Sequence, residues 1–312
     1  MDKRKIGSLE VSVVGLGCNN FGWRIDAAAS ARVVDAALES GINFLDTADI
    51  YGNGQSEEFL GKALRGRWSQ VVIATKFGIK MEGHGEGADP SYIERAVEGS
   101  LRRLGTDRID LYQLHKPDPK TPVADTLRAL DRLVKSGKVR EIGASNFTAE
   151  QFREADDAVR PGAARFVSVQ NDYSLLNRKA ETDVLPECVR RGLAFLPYFP
   201  LANGLLSGKY TSAQPHPPGS RGATGWGPKV FTKENLELVD DLRRFTESGG
   251  HSLLQLAFSW LASRAAVASV IAGASSPEQA RGNAHAADWK LGVDDLLELD
   301  RILAQHAGKV PQ

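Results

Sequence analysis

The sequence predicts an α/β fold, a single (β/α)8 TIM barrel spanning residues 1–312, with an N-terminal β-hairpin and an extra C-terminal helix. Three observations carry this expectation. Helical and short apolar segments alternate along most of the chain, and about eight apolar runs emerge, the number a closed barrel of this size needs. The glycine fingerprint of an open, doubly wound sheet is also incomplete: Gly15-Leu-Gly17 lacks a third glycine at the required offset.

The chain opens with a hairpin, Arg4 to Ile6 and Val11 to Val14, about a Gly-Ser turn, and Val13 to Leu16 then starts the barrel. Ala27 to Glu39 has helical spacing and ends at the capping Gly41, after which Ile42 to Leu45 is the second strand. The couple repeats as helix Ser56 to Leu64, strand Val71 to Thr75, helix Pro90 to Leu104, strand Ile109 to Leu114, helix Pro122 to Lys135 and strand Glu141 to Gly143. It continues with helix Ala149 to Asp156, strand Phe166 to Gln170, helix Thr182 to Arg191 and strand Ala194 to Pro197. Strands this short and apolar suit a parallel sheet buried on both faces. Lys209 to Lys229, rich in turn formers, reads as a long loop of the kind that serves as a lid or binding loop. The next assigned elements are helix Leu253 to Ser263, strand Val267 to Ile271 and a closing amphipathic helix from Val293 to Leu303.

Composition narrows the function. Lys plus Arg and Asp plus Glu both total 39, so no net field draws the chain to nucleic acid or an anionic membrane, and a small-molecule partner is expected. Cys18 and Cys188 are the only cysteines, too few for a disulfide framework or a cysteine zinc site. The six histidines show no paired spacing, so no metal is expected. Met1 to Gly7 opens no signal-like apolar run, and no stretch of about 18 apolar residues occurs, so a cytoplasmic protein is expected.

Barrel enzymes place their chemistry at the carboxyl ends of the strands. Here those positions are polar: Asp46, Lys76, His115, Ser145-Asn146, Gln170 and Tyr198, with Tyr51 in the loop after Asp46. A tyrosine hydroxyl, normally ionising near pH 10, holds a proton that a developing alkoxide can take. A neighbouring Lys76 ammonium is expected to lower that value, with Asp46 keeping the lysine charged, while neutral His115 donates to a substrate carbonyl. The set supplies a proton but no electrons, so hydride must come from a cofactor, most simply a nicotinamide.

These residues resemble the aldo-keto reductase superfamily. Gly41-Ile-Asn-Phe-Leu-Asp-Thr-Ala-Asp-Ile-Tyr-Gly52 is similar to its first signature, Asp110-Leu-Tyr-Gln-Leu-His115 to its second, and Ala74-Thr-Lys76 to a third landmark, from the hairpin to about Asn283. The resemblance implies NADP(H)-dependent reduction of an aldehyde or ketone to an alcohol, with Tyr51 as proton donor, Lys76 and Asp46 tuning it and His115 orienting the carbonyl. It assigns Ser145, Asn146 and Gln170 to the cofactor carboxamide and Tyr198 to the nicotinamide ring. Gly17 joins them in the cofactor set. Leu201, Gly204 and Lys209 fall to the pyrophosphate, with Arg221 as a phosphate clamp, and Ser275, Gln279 and Asn283 to the adenosine. Arg281 and free amides at a helix starting near Pro277 favour NADP, with NAD open because Ala272 and Gly282 depart from the family pattern, as does Phe199. Phe21, Trp23, Tyr51 and Trp226 are the expected substrate-pocket walls. Oxidation of an aldose by NAD(P) and a cofactor-binding regulatory β subunit are the alternative functions.

Overall fold

A computed structural model describes residues 1–213 and 230–306. Strands β1 (Lys3–Ile6) and β2 (Leu9–Ser12) pair antiparallel with Ile6 opposite Leu9, leaving Gly7 and Ser8 as a two-residue turn. Period-two side-chain alternation puts Ile6, Leu9 and Val11 on one face, and all three are fully buried. They pack with Phe44, Val72, Leu111, Leu196 and Ile271 in one apolar cluster, so the hairpin closes the amino-terminal end of the barrel. Each buried aliphatic side chain contributes about 1.5–3 kcal/mol there.

The barrel strands are β3 (Val14–Gly17), β4 (Phe44–Asp46), β5 (Val72–Phe77), β6 (Ile109–Leu114), β7 (Val139–Ser145), β8 (Phe166–Asp172), β9 (Ala194–Tyr198) and β10 (Val270–Gly273). They are parallel and neighbour one another in chain order, with β10 returning to β3. The predicted eighth strand, Val267 to Ile271, divides in two. Val267 bridges Phe195 of β9, flanked by Phe195 N–H to Ala266 O (2.7 Å) and Ala268 N–H to Phe195 O (3.0 Å), while β10 itself runs on to Gly273 beside β3. One chain segment thus touches both edges and brings the ring to near closure.

Helices α1 (Ala27–Glu39), α2 (Gln55–Ala63), α3 (Pro90–Leu104), α4 (Val123–Lys135), α5 (Ala149–Ala158) and α6 (Val184–Arg191) alternate with the strands. α3 has its predicted ends for a visible reason: Asp89 accepts from Ser91 N–H at 2.9 Å, Pro90 fills the first turn, and Gly105 (φ 68) ends it in the left-handed region. Four more follow, α7 (Lys233–Ser248), α8 (Leu253–Ala262), α9 (Pro277–Ala284) and α10 (Val293–Gln305). α7 has no counterpart in the sequence-based assignment. Its signals are a Thr232 cap, accepting from Asn235 N–H at 3.2 Å, and the buried row Leu236, Val239, Leu242 and Thr246. Most of the predicted long loop, residues 214–229, lies outside the described residues. Among the described residues, no helix is long and apolar enough to cross a membrane.

Candidate active site

At the carboxyl end of the strands opens a cleft of about 810 Å3, running from Asp46, Tyr51 and His115 to α9. Asp46 is the last residue of β4, Lys76 sits near the end of β5, and His115 follows β6 directly. Tyr51 comes from the β4–α2 loop, where it starts a short 3-10 turn, Tyr51–Gly54. Gly52 holds that loop in place. Its φ is +57, and a Cβ there would lie 2.9 Å from the Phe21 carbonyl oxygen and 3.0 Å from Gly22 Cα, so only glycine permits this approach.

Four side chains, those of Asp46, Tyr51, Lys76 and His115, come together here. Lys76 is fully buried, and its Nζ donates to Asp46 Oδ2 at 2.6 Å and to the Thr47 carbonyl at 2.9 Å. The ammonium lies 5.3 Å from the Tyr51 ring centroid, close enough for its charge to act on the Tyr51 hydroxyl. Asp46 Oδ1 accepts from Gln113 Nε2 (3.2 Å) and Gln170 Nε2 (2.9 Å), so both carboxylate oxygens have donors. This matters because a buried ion pair is tolerable only when its remaining lone pairs are satisfied. The His115 ring stands edge-on to Tyr51, centroids 5.9 Å apart at 84°.

Burial and charge set the protonation states. Burial pulls the Lys76 ammonium down, but Asp46 and Tyr51 outweigh it and hold the group above its usual value. Burial pushes the Tyr51 hydroxyl up, and Lys76 opposes this without overcoming it, so the phenol also sits above its usual value. The expected lowering by Lys76 is therefore present as a contribution, while the net direction is upward. Burial, helped by Lys76 and Lys116, pushes His115 down to about 3, which keeps the imidazole neutral at physiological pH.

The remaining predicted residues fall along the same cleft. Gly17, Ser145, Asn146, Gln170, Tyr198, Leu201, Gly204, Lys209, Ser275, Gln279 and Asn283 all line it. Ser145 Oγ donates to the Gln170 carbonyl (2.7 Å), Asn146 Nδ2 to the His115 carbonyl (2.9 Å), and the Tyr198 hydroxyl to Asn146 Oδ1 (2.8 Å). Asn146, Phe199 and Asn203 line the cleft with φ of 61, 53 and 58, the kind of backbone strain that collects at binding sites.

The substrate-wall expectation needs correction at two positions. Phe21 is fully buried in the apolar core because the contact between Gly22 and Gly52 turns its loop inward, and it does not line the cleft. Trp23 is 61% exposed and also lies off the lining; Arg24, whose guanidinium stacks 4.6 Å over the Trp23 ring, reaches the cleft instead. Arg221 and Trp226 lie outside the described residues. Sequence reasoning passed over Cys18, Asn20, Ile79 and Glu278, which line the cleft, and Gln113, which braces Asp46 beneath it. Gln113 had a readable signal, since it sits on β6 two residues before His115, the spacing that returns an extended chain to the same face.

Comparison with known proteins agrees with this geometry. The sequence model described as "Aldo/keto reductase family" matches residues 13–304. The chain is similar to the aldo-keto reductase YhdN of Bacillus subtilis (strain 168), 34% identical over 312 residues, covering 95% of this chain and 91% of that protein. Among solved structures it resembles a glycerol dehydrogenase from Gluconobacter oxydans, with TM-score 0.85, 32% identity and coverage of 98% and 96% of the two chains. It also resembles the holo form of an aldo-keto reductase from Bacillus halodurans, with TM-score 0.80, 33% identity and coverage of 97% and 96%.

Proposed function

The chain belongs to the aldo/keto reductase family, oxidoreductases that act on small carbonyl substrates, and from that premise we propose that it reduces an aldehyde or ketone to an alcohol with Tyr51 as the proton donor. One observation carries the proposal: Tyr51 faces a buried lysine ammonium, 5.3 Å from its ring centroid, whose charge is fixed by a 2.6 Å ion pair with Asp46.

The donor set fits a nicotinamide dinucleotide, NADP(H) or NAD(H). Ligand sites span roughly 300–1,000 Å3, and this cleft, about 810 Å3, has the room for such a molecule and is lined by residues of several strand ends and of α9. Among its lining residues, Ser145, Asn146 and Gln170 offer amide and hydroxyl groups, Tyr198 a ring, and Lys209 a cation. When bound, such a cofactor supplies hydride to the carbonyl carbon. Neutral His115 donates a hydrogen bond to the carbonyl oxygen and holds it in register. Tyr51 gives that oxygen its proton, and Lys76 steadies the phenolate left behind. Asp46 keeps the ammonium charged and aimed.

The reverse reaction uses the same groups, with Tyr51 taking a proton from an alcohol. The likeness to a glycerol dehydrogenase supports this direction as a second reading. The two free, buried thiols, Cys18 and Cys188, are consistent with a reducing compartment, so we place the enzyme in the cytoplasm.

Replacing Tyr51 with Phe removes the proton donor and keeps the ring. Turnover on a carbonyl panel should fall by about 100- to 10,000-fold, while nicotinamide binding, read by fluorescence quenching, persists. Undiminished turnover in Tyr51→Phe would reject the assignment.

A further inference from the structure

Taking Tyr51 as the proton donor, we infer that Glu57 and Arg103 are positioning residues, an ion pair behind the cleft that holds the Tyr51 turn in place against Lys76. Neither residue lines the cleft, and nor does Thr75, through which they act.

The turn needs holding. Asn53 and Gly54 follow Gly52 with φ of 53 and 93, so three successive residues sit in the left-handed region. Such conformations persist only where the surroundings impose them. The backbone of Phe21 and Gly22 confines Gly52. Arg103 of α3 confines Gly54, where a Cβ would stand 2.8 Å from Arg103 Cδ and 3.2 Å from its Nε.

From Arg103 the contacts run on to the lysine. Arg103 Nε donates to Glu57 Oε2 at 2.7 Å, and Thr75 Oγ1 donates to Glu57 Oε1 at 2.6 Å, so both oxygens of this fully buried carboxylate have donors. Glu57 is the third residue of α2, which starts directly after Gly54, and Thr75 directly precedes Lys76 on β5. One carboxylate thus ties the segment carrying Tyr51 to the strand carrying Lys76, while its arginine partner presses on the turn itself.

Helix packing alone does not account for the pair. α2 and α3 already meet backbone to backbone at Gly61, where a Cβ would collide with the Leu104 carbonyl oxygen. A buried ion pair is a costly addition to such a contact, since apolar side chains of similar volume serve packing as well or better. What the polar pair adds is direction, through the bond from Thr75.

The test reads the chemical step. With whichever of NADPH and NADH the parent oxidises, single-turnover oxidation of the bound nucleotide by a carbonyl separates chemistry from release. A misplacement of about 1 Å costs about 100-fold, so Glu57→Gln and Arg103→Gln should slow this rate by about 10- to 100-fold, with nucleotide Kd and substrate KM within about threefold. Arg103→Lys keeps a cation and the stem against Gly54 and should return to within about threefold of the parent. Arg140→Gln breaks a different ion pair, 3.0 Å to Asp110 near the amino-terminal ends of β7 and β6, and should leave the rate unchanged. Parent rates in folded Glu57→Gln and Arg103→Gln overturn the inference, as does an equal fall in Arg140→Gln or a loss of nucleotide-binding sites in step with the rate. Should Glu57→Gln not fold, Thr75→Val, the same shape without the hydroxyl, decides: a fall of about tenfold or more supports the inference and the parent rate overturns it. A parent that reduces no carbonyl, or full turnover in Tyr51→Phe, overturns the proton-donor reading together with this inference.

Discussion

Lys76 is fully buried and Asp46 is 3% exposed, so their 2.6 Å pair is a test of how the site is held together. Lys76→Met keeps the approximate volume and removes the ammonium. Asp46 then keeps its charge with Gln113 and Gln170 on Oδ1 but loses the lysine on Oδ2. Stranding one member of a buried pair costs about 3–5 kcal/mol, which for a chain of this size lowers the melting temperature by on the order of 10 °C. The diagnostic step is the double variant. Adding Asp46→Asn to Lys76→Met removes the stranded charge, so it should recover stability, although Asp46→Asn alone destabilises. Urea unfolding of the four proteins at neutral pH measures the coupling directly. Additive losses, or a double variant weaker than Lys76→Met, would refute the idea that the pair is energetically coupled. Turnover gives a second reading of the same change. Lys76 opposes the upward push of burial on Tyr51, so without it the phenol holds its proton more tightly still. Reduction should slow by about 100-fold or more, and the alkaline limb of its pH profile should move upward.

Asp49 is 2% exposed, has an unpartnered Oδ1, and is raised from 3.8 to about 7, first by burial and then by Glu57. The folded protein therefore holds this proton more tightly than the unfolded chain does, and the stability so gained below the unfolded value is lost as pH rises through about 7. That gap is worth up to about 4 kcal/mol; Asp49→Asn should be the more stable protein near pH 8 and lose less between about pH 5 and 8, and matching unfolding curves for parent and variant would contradict this. Gly52→Ala forces a side chain into the +57 φ region against the Phe21 carbonyl. Folding should weaken by roughly 1–3 kcal/mol, and turnover should drop more than nucleotide affinity, since Tyr51 follows the loop; an unaltered kcat would show that Gly52 does not position it.

The order of strands and their polar ends were legible because a buried parallel strand is written as a short apolar run and its last residue meets the opening. Asp46, Lys76 and His115 needed nothing more. Less legible was whatever depends on two distant segments. Gln113 braces Asp46 only through the pairing of β6 beside β5, with Gln113 opposite Lys76. Phe21 reads as a wall residue until the Gly22–Gly52 contact turns it inward. The direction of the Tyr51 shift was set by burial, which a sequence does not record, while the neighbouring lysine, which it does, pulls the other way. At α9 the spacing announced a helix start correctly, but not that the Gln279 side chain would fold back onto Ser275. α7 carried a cap and an apolar row in plain view, yet its many charged residues mask the row.

The N-terminal hairpin divides the molecule by task. Ile6, Leu9 and Val11 pack against the amino-terminal end of the barrel, while the cleft with Tyr51 and His115 opens at the carboxyl end of the strands. A change in those three aliphatic side chains is therefore felt in folding and not in the chemistry on the opposite side of the molecule.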